Sequence, residues 1–230
     1  MISVCLATYN GEKYLREQLD SILCQLSEND ELVISDDGSE DETINIINSY
    51  NDNRIRLFHN QGKHGVVPNF ENALSKANGD FIFLSDQDDV WMNDKVEKCI
   101  RLLNDYDLIV HNAEIVNGNC ENTGHDFFSL RDSKGGFWTN IYKNRFVGCC
   151  MCFKKQLLNY VLPFPSKILW HDMWIGLIAE KHFKVYFSPL PLIMFRRHGD
   201  NTSQTAEKSN FSFFKKISYR FWMLYYSLFR

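Results

Sequence analysis

Phe81-Ile82-Phe83-Leu84-Ser85-Asp86-Gln87-Asp88-Asp89 joins an apolar run directly to three carboxylates within four residues. The run reads as a buried strand and the acids as its end, where like charges repel unless a cation or a ligand lies among them. Strand geometry carried through this end points Asp86 and Asp88 to one side and Gln87 to the other, which offers two hard oxygen donors at one place. Such donors suit Mg²⁺, Mn²⁺ or Ca²⁺, and Mg²⁺ is commonly shared between carboxylates and substrate phosphates. The same letters also read as an acidic loop capping the next helix, with Asn93 or Asp94 at the cap before Lys95-Val96-Glu97-Lys98. A calcium loop of the EF-hand kind matches at Asp86, Asp88 and Glu97. It requires an oxygen donor and then a glycine where Val90 and Trp91 stand, and is excluded.

Upstream of this strand, apolar runs alternate with amphipathic segments, the pattern of helices crossing over between parallel strands. Residues 2–7 form the first strand, followed by the turn Thr8-Tyr9-Asn10-Gly11 and a helix carrying Tyr14, Leu15, Leu19, Ile22 and Leu23. Glu31 to Ser35 form the second, with the turn Asp36-Asp37-Gly38-Ser39 and a helix through Ile44, Ile46 and Ile47. Ile55 to Phe58 form the third, with a glycine-bearing loop and a helix from about Pro68 to Ala77. With the strand at Phe81, these units predict a doubly wound, mostly parallel α/β sheet. Such sheets bind ligands beyond the carboxyl ends of their strands, which is where the Thr8 turn, the Asp36 turn and the Asp86 cluster fall.

Beyond the acids the pattern predicts a helix at about 94–104, a strand at Leu108-Ile109-Val110 and a polar, glycine-bearing mobile loop from Asn117 to Gly136. Gly148 to Phe153 reads as a buried strand, Lys155 to about Val161 as a helix, and a further helix runs from near Trp170 to His182. Val185-Tyr186-Phe187 reads as the last strand, ahead of Pro189 and Pro191. Residues 211–230 differ from all of this. Phe213, Phe214, Ile217, Phe221, Leu224, Tyr225 and Leu228 recur at helical spacing beside Lys215, Lys216, Arg220 and Arg230, with no acid. A basic, aromatic, amphipathic helix of this kind suits the plane of a membrane interface, or else packs on the body or on another subunit.

A chain of 230 residues with 44% hydrophobic content supports one sizeable core. Its net charge of −4 gives no general attraction to nucleic acid, so phosphate binding has to come from a local site. The first residues lack the basic start and long apolar stretch of a secretory signal, which predicts a cytoplasmic protein. Seven cysteines without framework spacing fit reduced thiols, and the Cys149-x-x-Cys152 pair lies in a segment that reads as buried strand rather than redox centre.

Taken in order, these segments resemble the inverting family-2 glycosyltransferases of the GT-A fold, in particular the bacterial rhamnosyltransferase-like branch that builds surface polysaccharides. The resemblance runs from Ser3 to about Gln204. It rests on Thr8-Tyr9-Asn10-Gly11, Ser35-Asp36-Asp37-Gly38-Ser39 with Asp41 and Thr43, Asn69-Phe70-Glu71-Asn72-Ala73-Leu74, and Leu84 to Trp91. Further on it rests on Gly148-Cys149-Cys150-Met151, His171-Asp172-Met173-Trp174 and Arg197-His198-Gly199-Asp200-Asn201.

The resemblance implies a Rossmann-like GT-A domain over residues 1–205, with a nucleotide-binding half (1–110), an acceptor-binding half (111–205) and an amphipathic tail (206–230). It implies that Thr8, Tyr9, Asn10 and Glu12 line a nucleoside pocket, and that Asp37, with Asp36 close by, accepts from the base N3–H of a uracil or thymine. Asn69, Asp86 and Gln87 then contribute to the nucleotide-sugar site. In the D-x-D motif Asp86-Gln87-Asp88, Asp88 holds a divalent Mn²⁺ or Mg²⁺, and His198 falls where relatives place a histidine on the metal or diphosphate. Imidazole is the softer donor and favours Mn²⁺. Asp172 matches the catalytic base, with Trp170 and Trp174 as candidate acceptor contacts.

Read without the resemblance, Asp36-Asp37-Gly38-Ser39 is equally an ordinary turn and Asp172 equally a helix N-cap. The implied partners are a dTDP- or UDP-sugar, rhamnose being the first candidate, and a glycan or lipid-linked acceptor. Peripheral contact with the inner membrane face would run through 211–230, and no nucleic acid is involved. The alternative is a non-catalytic nucleotide-sugar or glycan-binding module. A nucleotidyltransferase would open with a glycine-rich, arginine-containing loop where this chain has Thr8 to Glu12.

Overall fold

The computed structural model describes residues 1–199 and 212–230. In chain order the elements begin with β1 (Ile2–Thr8), α1 (Leu15–Leu23), β2 (Glu31–Asp36), α2 (Thr43–Asn48), β3 (Ile55–His59) and α3 (Val66–Lys76). There follow β4 (Phe81–Asp86), β5 (Val90–Trp91), α4 (Lys95–Leu103), β6 (Leu108–Asn117), β7 (Asn122–Asp126), α5 (Phe127–Arg131) and α6 (Phe137–Tyr142). The rest are β8 (Met151–Lys154), α7 (Leu158–Val161), α8 (His171–His182), β9 (Val185–Arg197) and α9 (Phe213–Leu228).

The strands make one sheet in the order β3-β2-β1-β4-β8-β6-β9-β5, with β7 paired to β6. β1, β2, β3 and β4 are mutually parallel, as the alternation of apolar and amphipathic segments predicts. Val4, Cys5 and Leu6 in β1 and Leu32, Val33 and Ile34 in β2 are all sealed from solvent, because helices cover both faces of a parallel sheet. The chain steps outward from β1 to β2 and β3 and then returns to place β4 on the other side of β1. The strand order reverses between β1 and β4, and the carboxyl ends there, Thr8 and Asp86, lie at the switch point where such sheets open a ligand crevice.

The second half of the chain departs from the parallel pattern. β8 runs antiparallel between β4 and β6, while β6 and β9 are parallel neighbours. The expected buried strand from Gly148 begins only at Met151, since Gly148–Cys150 form a 3-10 turn beneath His171. A Cβ on Gly148 would lie 2.6 Å from His171 Nε2. The 117–136 segment is not an unstructured loop. Asn117 Oδ1 accepts the amides of Asn119 and Glu121, closing the turn that starts β7, and Asp126 caps α5 by accepting from Ser129 N–H. The last strand extends through Pro189 and Pro191 to Arg197 rather than stopping at Phe187. The prolines are tolerated because the β6–β9 register shifts at Asn112, where the ladder does not call on their missing N–H groups.

α3 begins at Val66, two residues ahead of the expected Pro68, which sits in the first turn where no N–H is required. The expected domain boundary near 205, and with it Asp200, Asn201 and Gln204, lies outside the described residues, as does the side chain of Phe213.

At the amino end of the sheet, opposite the crevice, Ser3 Oγ donates to Glu31 (2.5 Å) and accepts from Gly79 N–H (2.7 Å). Asn78 N–H and Arg56 complete the carboxylate's shell. Burial alone would raise the Glu31 carboxyl, but these donors bring it below its ordinary value. A Cβ on Gly79 would meet Ser3 N at 2.6 Å and Ile2 C at 2.7 Å, both main-chain atoms that cannot step aside. Gly79→Ala is therefore expected to cost about 1–3 kcal/mol, lowering the midpoint of a thermal melt by several degrees.

Candidate active site

The β1 and β2 turns are stitched into one wall. Asp36 is buried, and its carboxylate accepts from Thr8 Oγ1 (3.1 Å), Gly38 N (3.0 Å), Ser39 N (2.9 Å) and the Ser39 hydroxyl. Asn10, in the left-handed region at φ 47°, accepts from Glu40 N through Oδ1 (2.9 Å), and Glu12 accepts from Glu42 N (2.9 Å). Gln87 reaches across from β4 and takes Tyr9 at both main-chain groups, accepting from its N–H (2.8 Å) and donating to its carbonyl (3.0 Å). Gly11 leaves room for it, for a Cβ there would fall 2.4 Å from Gln87 Oε1 and displace the amide. Asn69 Nδ2 donates to the Thr8 carbonyl (3.1 Å), and its buried Oδ1 has no partner among the described residues.

Of the residues expected around a nucleoside, Thr8, Asp36 and Gln87 thus spend their polar groups on building the wall. The Tyr9 ring stands exposed above it. Asp37 is held by Asn60 Nδ2 (2.7 Å) at Oδ1, which His64 Nδ1 also faces (3.3 Å), and by Gly65 N (2.7 Å) at Oδ2, which fixes its orientation. The ordinary-turn reading therefore holds for Asp36, whereas Asp37 is oriented by donors from the β3–α3 loop.

The acids after β4 do not follow strand alternation, because the strand ends at Asp86. Asp86, Asp89 and Cys149 converge, with ligand atoms all within 4.8 Å of one another, while Asp88 turns to His198 Nε2 at 2.9 Å. Asp89 is sealed from solvent; its Oδ1 accepts Arg196 N–H (3.2 Å), and its Oδ2 has no partner among the described residues. Sequence reading missed Asp89, although it is the third acid of the same run.

Burial, then the charges of Asp88 and Asp172, push the Asp86 carboxyl up to about 7. Burial and the Asp88 and Asp86 charges hold Asp89 well above the ordinary carboxylate range. One compensating charge is Lys95, fully buried, which donates to the Cys149 carbonyl (3.1 Å) and rests over the Trp91 ring (4.0 Å). An orphaned buried carboxylate oxygen beside mutually repelling acids is a donor set that fits a divalent cation. Asp94 does take the N-cap position of α4, as the helix-cap reading expects, but it is left-handed at φ 63° and makes no side-chain cap bond, so capping does not account for the acids ahead of it.

Asp172 lies in the first turn of α8, but Trp170 occupies the cap position, so Asp172 is not the N-cap. Its carboxylate accepts from Met173 N (2.6 Å) and faces Asn144 Nδ2 at 3.4 and 3.5 Å. Burial pushes it up to about 6, opposed by the Arg131 charge. That its charge is felt at Asp86 puts the two acids in one electrostatic neighbourhood. His171 points the other way, stacked on Phe70 at 4.0 Å and kept neutral by burial. Trp174 is core, fully buried with Nε1 donating to the Val161 carbonyl (2.9 Å), and does not serve as an acceptor surface. Trp170 is half-buried against the same core.

Residues 3–162 match the family model described as glycosyl transferase family 2. Among curated relatives, glycosyltransferase GlyG of Streptococcus pneumoniae is 31% identical over 89% of this chain and 73% of its own length. The Escherichia coli protein WfgD, named a UDP-Glc:alpha-D-GlcNAc-diphosphoundecaprenol beta-1,3-glucosyltransferase, is 28% identical over 79% of this chain and 71% of its own. The dTDP-rhamnosyl transferase RfbG of Shigella flexneri is 28% identical over 85% and 72%.

Of solved structures, residues 1–349 of Staphylococcus aureus TarS with UDP-GlcNAc superpose with a TM-score of 0.72 at 18% identity. That match covers 97% of this chain but 66% of the TarS fragment. The Pyrobaculum calidifontis mannosyltransferase PcManGT, with GDP-Man and Mn²⁺, superposes at 0.60 and 18% identity, over 89% of this chain and 58% of its own. These likenesses establish the GT-A fold, and with the family match over most of its length the chain belongs to glycosyl transferase family 2.

Proposed function

We propose that this chain transfers a hexose, with inversion, from a nucleoside diphosphate sugar to a saccharide acceptor in bacterial glycan synthesis. The observation that carries the reading is Asp172: a half-buried carboxylate, held off its helix cap and poised near neutral pH, within electrostatic reach of the acids at the β1–β4 crevice. The acceptor hydroxyl oxygen attacks the anomeric carbon, the bond from that carbon to the phosphate oxygen breaks, and Asp172 receives the hydroxyl proton. The diphosphate leaves with the electron pair on the opposite face.

Asp88 and His198 are the residues that would hold a divalent ion, Mn²⁺ or Mg²⁺, with Asp86 toward the donor sugar. When bound, such an ion supplies positive charge to the departing diphosphate. Asp37 suits a uracil or thymine imide, since Oδ2 accepts one bond, from Gly65 N–H, and keeps a further acceptor site. UDP and dTDP donors are each named among the relatives, and rhamnose is supported by RfbG alone. In this reading residues 1–110 serve the nucleotide and 111–205 the acceptor.

Peripheral membrane contact at the cytoplasmic face is part of the same proposal. α9 packs on the body through Tyr219, Met223, Tyr226 and Ser227, and Lys181 donates to the Ser227 carbonyl at its end (2.8 Å). Its other face presents Phe214, Ile217, Phe221, Tyr225 and Leu228, the stripe whose spacing is evident in the sequence, and Phe214 is 83% exposed. Exposed Tyr142 of α6 extends the patch through contact with Arg220. The tail thus both packs on the body and keeps an apolar face open, and its basic residues suit anionic headgroups. Among the described residues no helix is long and apolar enough to cross a membrane.

Asp172→Asn is expected to lower kcat/KM by about 10²–10⁴ in a transfer assay. Its melting point should stay at or above that of the parent, because ionising a carboxyl whose pKa is raised opposes folding at neutral pH; full activity would remove the base role. A base works only when ionised, so kcat/KM should fall on the acid side with an apparent pKa of about 6 and level off above it. The combined variant Phe214→Ser with Phe221→Ser should lose co-sedimentation with anionic vesicles while donor hydrolysis by the protein is unchanged. Equal sedimentation would refute the membrane contact.

A further inference from the structure

We propose that Arg196 is a positioning residue for the cation site, acting through the main chain of the acidic loop rather than by touching substrate. The inference rests on the reading of Asp88 and His198 as metal ligands. Arg196 is 3% exposed, and its bonds reach three segments far apart in sequence. Nε donates to the Asp88 carbonyl (2.9 Å), Nη1 to the Gly118 carbonyl in the β6–β7 turn (2.9 Å), and Nη2 to Glu17 on α1. Its own main-chain N–H donates to Asp89 Oδ1 (3.2 Å). The guanidinium also lies over the Tyr14 ring at 4.5 Å, and Tyr14 in turn packs on the His198 ring at 4.7 Å.

One side chain therefore fixes the carbonyl of one expected ligand, and through Tyr14 it supports the ring of the other. A buried cation placed only to offset charge would face the carboxylate oxygens. This one leaves the Asp88 carboxylate to His198 and grips the peptide behind it. Lysine cannot replace it, because a single ammonium lacks the planar fork that serves three acceptors in different directions. Groups that orient metal ligands from behind typically control affinity about 10–100-fold.

The test is Mn²⁺ binding by the full chain without substrate, read from the loss of the free-ion signal in electron paramagnetic resonance, together with thermal melts. Arg196→Lys is expected to weaken Mn²⁺ binding by about tenfold or more. Glu17→Gln, at an exposed position that leaves the core intact, should weaken it several-fold with an unchanged melt. Mn²⁺ binding lost in Asp88→Asn but intact in both Arg196→Lys and Glu17→Gln would overturn this proposal alone and leave Arg196 a structural residue. A parent protein that binds no Mn²⁺, or an Asp88→Asn variant that binds it as well as the parent, would overturn the metal reading and this proposal with it.

Discussion

Repulsion among Asp86, Asp88 and Asp89 is the constraint around which the rest of the molecule is organised. These acids stand at the end of β4, and Asp89 is wholly buried. Each is met by a different device: Lys95 from α4 behind the cluster, His198 for Asp88, and the Arg196 main chain for one oxygen of Asp89. The topology makes this feasible. β8 inserts antiparallel beside β4 and brings Cys149 up from below, while the long β9 crosses the sheet to deliver Arg196 and His198 to the same edge. Charge that costs stability among these acids alone would become binding strength with a cation held between them.

The first half of the chain was legible because its strands are continuous apolar runs and its turns carry glycine and aspartate, so local chemistry and final position agree. The second half was less so. β7, Asn-Thr-Gly-His-Asp, is exposed and has no alternation to detect, and its pairing is decided by the neighbouring β6. β9 contains two prolines that argue against a strand until the register shift in its partner is known. For the site, the acidic run, Asp172 and His198 stood out as residue types. Which acids converge did not, since the alternation rule gives way where a strand ends, and Asp89 faces inward by the geometry of the turn.

The tail shows the same limit from another side. Spacing revealed a helix with an aromatic stripe, but not that a second face, made of Tyr219, Met223, Tyr226 and Ser227, would be the one to pack. Serine and tyrosine carry little apolar signal, and their burial follows from the shape of α6 and α8 beneath them. α6 touches α9 through Tyr142 and leads directly into Asn144, the neighbour of the Asp172 carboxylate. The helix that meets the tail thus ends two residues before a neighbour of the proposed base.

The grip of Gln87 on both main-chain groups of Tyr9 has a bearing on how such a fold could diversify. Because an amide from the acid-bearing loop closes the wall built by the β1 and β2 turns, the proposed nucleoside and diphosphate contacts are mechanically one piece. In the proposed reading, drift in preference for the base cannot proceed by reshaping the first turn alone without disturbing the acids on either side of Gln87. Variation in sugar choice would then be expected to accumulate on the far bank of the crevice, in the β6–β8 connection, where the chain is longest and least tied to that piece.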